Sequence, residues 1–144
     1  MVELSALDRL VAIEAVKALR ARYCRMLDTK DWAGLRATLA DDVRLDLPSL
    51  KARGGIEGAD AMVALVIEWF GQSPSLHLNG LPEIEILSAD RATGIWAQEH
   101  FLPGRYRPHA HHGHGYGYSH DSYVRIDGEW RIAGIRLEPR FELE

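Results

Sequence analysis

The feature that most restricts the fold of this 144-residue chain is a single change of hydrophobic period at Pro74. Before it, apolar residues recur at helical spacing; after it they alternate, and the alternation persists through the rest of the chain. From Leu4 to Leu27 the stripe is Ala12, Val16, Leu19, Tyr23 and Leu27, with Arg20, Arg22 and Arg25 off it. Ser5, with Asp8 three residues later, predicts a capped start to that first helix. Asp31 suits the N-cap of a short second helix carrying Trp32, Leu35 and Leu39. A third helix is predicted over Ala59 to Phe70, stopping at Gly71, with Met62, Leu65, Val66 and Trp69 on one face. Between the second and third, Val43 to Leu47 alternates and is bounded by Pro48, which predicts a short edge strand, and Lys51 to Gly58 reads as a loop.

Beyond Pro74 the candidate strands are Leu76 to Asn79, Pro82 to Leu87, Ala92 to Leu102, Gly115 to Ile126 and Glu129 to Leu137. Asp127-Gly128 lies between the last two and is a favoured type I′ hairpin turn. No helices separate these strands, as a parallel sheet would require. The reading is therefore α+β: three N-terminal helices packed on one face of a strongly curved antiparallel sheet, with a pocket between the layers. There are no internal repeats and no linker tracts, so residues 1–144 are expected to form one domain.

Composition narrows the function classes. Seventeen basic and 21 acidic residues give a net charge of −4 with both signs interspersed, which argues against nucleic acid as a partner. The lone Cys24 sits in an apolar helix and reads as a small buried residue in a reducing compartment. The opening MVELSALDRL lacks the pattern of a signal peptide, and no apolar run approaches the roughly 20 residues of a membrane span, so the expected location is the cytoplasm. Phosphate loops, nucleophile elbows and HExxH motifs are absent.

Several residues are candidates for chemistry. Asp28 falls at the end of the first helix, where the helix dipole disfavours a carboxylate; it either makes a local turn or serves a site. His77 and Asn79 share one face of an alternating strand, so His77 lines the pocket if that face is concave and is exposed otherwise. Trp96, Gln98 and His100 share a face opposite Ile95, Ala97, Glu99 and Phe101, a mixed pocket wall or an exposed strand end. Tyr23 is either core or a hydroxyl donor to a ligand. The run His109-Ala110-His111-His112-Gly113-His114 has enough imidazoles for a metal but lacks the usual ligand spacing, so no metal site is expected there.

The order Ala21-Arg22-Tyr23-Cys24-Arg25-Met26-Leu27-Asp28, Lys30-Asp31-Trp32, His77 and Asp127-Gly128-Glu129-Trp130-Arg131-Ile132 resembles the SnoaL-like branch of the nuclear transport factor 2 superfamily. The resemblance covers almost the whole chain and implies a cone of helices against a bent sheet. Within that branch the chain is similar to the cofactor-free lyases, among them scytalone dehydratase, bile acid 7α-dehydratase and hexachlorocyclohexane dehydrochlorinase. It implies an Asp28–His77 pair as general base, with Tyr23 and His100 as donors and Arg136 as a looser match to a C-terminal arginine. Trp96, Gln98, Tyr116 and Tyr118 would then contact a small cyclic, largely apolar substrate if their faces turn inward. No metal or nucleotide cofactor is needed. A homo-oligomer is expected, a trimer ahead of a dimer. The same resemblance leaves room for a noncatalytic ligand-binding or assembly subunit and for an isomerase using the same pair.

Overall fold

The computed structural model of the protein describes residues 3–103 and 113–143. Helix α1 spans Ala6–Thr29 and opens with the expected capping box: Ser5 Oγ accepts from the Asp8 amide at 3.0 Å, and the Asp8 carboxylate accepts from the Ser5 amide at 3.1 Å. It ends at Lys30, a non-glycine residue in the left-handed region at φ 62°. Asp31 caps α2 (Trp32–Ala37) by accepting from the Gly34 amide at 2.8 Å. After strand β1 (Leu39–Asp46), a short 3-10 helix (Pro48–Arg53) and the two-residue strand β2 (Ile56–Glu57), helix α3 runs over Ala59–Phe70 and stops at Gly71.

The remaining strands are β3 (Leu76–Ile86), β4 (Arg91–Leu102), β5 (Gly113–Ile126) and β6 (Glu129–Leu143). Two of the sequence-predicted strands, on either side of Gly80-Leu81, are one strand: the ladder to β4 slips between Asn79 and Pro82, so a bulge carries the pairing through. At the β5–β6 hairpin both turn residues have positive φ, Asp127 at 50° and Gly128 at 81°, as a type I′ turn requires.

The sheet order is β2-β1-β6-β5-β4-β3. This corrects two expectations. The sheet is mixed, because β1 pairs parallel with β6 (Leu45 opposite Ile135), and β1 is interior, flanked by β6 and β2. The pairing joins segments about ninety residues apart through crossover elements, and no local period reports such a contact. Further register shifts between Tyr116 and Gly117 and between Ser122 and Tyr123 curve the long strands. The helices lie in the concavity, and Val16, Leu19, Leu35, Val43, Met62 and Ile132 form its dry centre. Each such side chain contributes about 1.5–3 kcal/mol by leaving water. Among the described residues no helix is long and apolar enough to cross a membrane.

A polar cluster interrupts this core. Arg20, read from the sequence as lying off the apolar stripe, is 1% exposed. Its Nη1 donates to Asp121 Oδ2 at 3.1 Å, Nη2 to Gln98 Oε1 at 2.9 Å and Nε to Asn79 Oδ1 at 3.2 Å, so one guanidinium ties α1 to β5, β4 and β3. Asp121 also accepts from Ser119 Oγ at 2.6 Å and from the Tyr123 hydroxyl at 2.8 Å, and that hydroxyl accepts from Trp96 Nε1 at 2.9 Å. No buried side-chain nitrogen or oxygen among the described residues lacks a partner. Removing one member of a buried ion pair strands the other in a low dielectric. Arg20→Leu should therefore lower unfolding stability by roughly 3–5 kcal/mol in urea titrations, and a loss below about 1 kcal/mol would show that water reaches Asp121.

Candidate functional site

The end of α1 meets the start of edge strand β3, and this junction builds the site. Asp28 sits one turn after Cys24, two residues before the left-handed Lys30 that ends the helix. Its Oδ1 lies 2.7 Å from His77 Nδ1 and its Oδ2 accepts from the His77 backbone N–H at 2.8 Å. Oδ1 also accepts from Ser75 Oγ at 2.9 Å, and Ser75 Oγ in turn accepts from Lys30 Nζ at 2.8 Å. The His77 and Asp28 side chains are 9% and 13% exposed. A carboxylate facing Nδ1 places the proton on that nitrogen and leaves Nε2 with a free lone pair. Among the described residues no side chain hydrogen-bonds Nε2.

His77 borders a cavity of about 250 Å³ between α1, α3 and the sheet. Its walls are mostly apolar, with Leu27, Val66, Trp69, Phe70, Leu102 and Ile135 prominent, and the polar groups on it are Arg20, Tyr23, His77, Gln98 and His100. The His77 and His100 rings face each other across the β3–β4 pair, with centroids 6.2 Å apart. Asp28 is not on this wall. It lies behind His77, in the groove between α1 and β3.

Space for the cavity comes from β5. Its inward positions opposite Leu102, His100 and Gln98 are Gly113, Gly115 and Gly117. A Cβ at Gly115 would collide with the His100 ring, so His100 lies flat over β5 only because Gly115 has no side chain. Tyr23 lines the cavity, and its hydroxyl makes no hydrogen bond among the described residues. Burial pushes its pKa well above the ordinary phenol value, with Arg20 5.2 Å from the ring centre opposing, so the hydroxyl remains a proton donor at neutral pH.

Of the residues predicted from sequence, Tyr23, His77, His100 and Gln98 share the cavity wall, and Asp28 stands behind it. The other four do not. Trp96 is 5% exposed, spends its indole N–H on Tyr123 and borders the α1–β3 groove instead. Tyr116, Tyr118 and Arg136 project from the opposite face, where Tyr116 stacks on Phe141 with centroids 4.8 Å apart and Arg136 pairs across the ladder with His120. Tyr116 and Tyr118 edge a separate 60 Å³ hollow beside Gln98 and His100. Their parity explains the placement: they alternate with the three inward glycines. His109, His111 and His112 lie outside the described residues, and His114 bonds Glu99 at 2.8 Å on the outer face. Among the described residues no group of three or more potential ligands is gathered for a metal.

Sequence reading missed Arg20, Ser119 and Asp121. Arg20 is four residues after Val16 and three before Tyr23, so it lies on the buried stripe after all, and the signal was its spacing. Asp121 follows Gly115, Gly117 and Ser119 at steps of two, which places it on the inner face.

The backbone superposes on solved structures of this architecture. A candidate scytalone dehydratase from Novosphingobium aromaticivorans matches with a TM-score of 0.83 at 22% identity, over 96% of this chain and 91% of that one. A type 2 hexachlorocyclohexane dehydrochlorinase matches at 0.82 with 18% identity, over 96% and 92%. At these identities the likeness is one of fold. In sequence, a probable cyclase from Gibberella zeae is 22% identical over 135 residues, 88% of this chain and 90% of the relative. Residues 8–136 match the model of the SnoaL-like domain, a span that runs from the first turn of α1 to the middle of β6 and contains Asp28, His77 and most of the cavity wall; the chain belongs to the SnoaL-like family.

Proposed function

We propose that the protein is a cofactor-independent lyase of the dehydratase kind, acting on a small cyclic, largely apolar substrate. The observation that carries this reading is the Asp28–His77 pair, with the unbonded Nε2 of His77 on the wall of an apolar cavity. Asp28 fixes the tautomer and orientation of the imidazole, and stabilises the imidazolium once it forms. Nε2 takes a proton from a substrate carbon, and the electron pair moves toward an adjacent oxygen that Tyr23 meets as a donor. The leaving group then departs as the double bond forms; when it leaves as hydroxide it takes the proton that His77 gained, relayed by the neighbouring His100, so that one water is lost overall and both rings return to their starting state. Apolar walls suit a ring and strengthen these charge interactions by excluding water. The relatives named above as dehydratase, dehydrochlorinase and cyclase support chemistry of this general type.

An isomerase would use the same pair and return the proton to another carbon. The neighbouring His100 ring favours this second reading, because it offers a second proton carrier on the same wall. The noncatalytic carrier reading needs none of the Asp28 contacts. The assembly proposed is a cytoplasmic homo-oligomer, a trimer ahead of a dimer, seated on the outer sheet face where Phe141 and Tyr118 are 56% and 43% exposed.

Once a substrate is found, His77→Ala should nearly abolish turnover, and Asp28→Asn should lower kcat on the order of 10⁴-fold with substrate binding kept. Tyr23→Phe should cost about 10²–10³ in rate. Near-normal kcat in folded His77→Ala would remove the general-base assignment and leave His100 as the next candidate. Gly115→Ala should push His100 off β5 and reduce turnover while circular dichroism stays native; unchanged kinetics would mean that His100 has no part in the reaction. Light scattering of the purified chain at micromolar concentration should give a multiple of 16.2 kDa, and a monomer would rule out the proposed assembly.

A further inference from the structure

A guanidinium has five N–H donors and no acceptor, so whatever it touches must turn an acceptor toward it. Arg20 Nη2 lies 2.9 Å from the side chain of Gln98, which settles the orientation of that carboxamide: Oε1 faces Arg20 and the NH₂ group points elsewhere. Gln98 borders the cavity, and among the described residues its NH₂ meets no acceptor. Arg20 is itself held by Asp121 and Asn79, in a core where it cannot swing away. One turn further along α1, Tyr23 borders the same cavity.

We infer that Arg20 is a positioning residue that fixes Gln98 as a hydrogen-bond donor to the cavity, so that the site selects ligands carrying an acceptor oxygen. An unanchored glutamine turns either its oxygen or its nitrogen to a ligand and discriminates poorly. Anchored by Arg20, it offers N–H alone, and with Tyr23 it makes a corner suited to a carbonyl oxygen or to the negative oxygen that develops on loss of a neighbouring proton. A ligand without such an oxygen leaves these donors desolvated and unpaired. This deepens the lyase reading and rests on it for the catalytic use of the corner; the ligand preference itself requires no turnover.

The test is calorimetric titration of the folded protein with 1-tetralone and with tetralin, which share a bicyclic skeleton and differ by the carbonyl oxygen. The wild-type chain should bind 1-tetralone about ten- to a hundred-fold more tightly than tetralin. Gln98→Glu keeps an acceptor on Arg20 but removes both N–H donors, and should bring the ratio near one by weakening 1-tetralone alone. Arg20→Lys keeps a cation beside Asp121 but loses the fork, and should reduce the ratio in the same direction. If Gln98→Glu does not fold, Gln98→Met provides the same comparison with similar volume. Equal wild-type affinities, or a ratio unchanged in folded Gln98→Glu or Gln98→Met, would overturn the inference. Loss of turnover in His77→Ala together with equal affinities would overturn this inference alone, whereas a tetralone preference in a protein that turns nothing over would overturn the lyase reading alone.

Discussion

The structure turns on one buried guanidinium. Arg20 reaches from α1 to three strands, and its partner Asp121 accepts three hydrogen bonds, from Arg20 itself, Ser119 and Tyr123. An apolar contact would hold helix and sheet together with little directional preference, whereas a planar fork with three fixed acceptors sets both the depth of α1 and its rotation. Tyr23, Cys24, Leu27 and Asp28 follow on the same helix, so their positions inherit that setting. Such a cluster is costly to desolvate and stabilises only when every member is paired, which is the state seen here.

Much of this was legible from residue patterns. The capping box at Ser5, the Asp31 cap, the bounds of α3 and the Asp127-Gly128 turn are local, and local chemistry specifies them. The parallel pairing of β1 with β6 and the continuity of β3 through Gly80-Leu81 were not legible, because each depends on a partner strand that sequence spacing does not reveal. The site divides along the same line. Asp28 and His77 were suggested by resemblance, and the physical reason for their meeting, an α1 terminus placed against an edge strand, is tertiary. Trp96 shares a strand face with Gln98 and His100, as its spacing required, yet it is not on the cavity wall, since face parity says nothing about depth.

The segment Gly113 to Tyr118 shows how one pattern does two jobs. Its alternation of glycine with histidine and tyrosine empties the inner face and fills the outer one. The empty side becomes the roof over His100, and the full side becomes an aromatic row joined to Phe101 and Phe141, with His114 stacked 4.0 Å from Phe101. A reading that gave weight to the glycines as wall positions would have turned Tyr116 and Tyr118 outward from the start.

The contact between Asp28 Oδ2 and the His77 backbone N–H has a meaning outside any reaction. β3 is the outermost strand on its side of the sheet, and Leu76, Leu78 and Leu81 leave it apolar and exposed. A bare edge of this kind invites another chain to add itself as a further strand. The N–H of His77 is one of the outward donors that an invading strand would need, and a side chain from the protein's own helix already occupies it. A slip of β3 by one residue would put leucine where His77 stands and break the ring contact and the main-chain contact together. The carboxylate thus guards the edge against foreign pairing and marks the one register in which the strand fits.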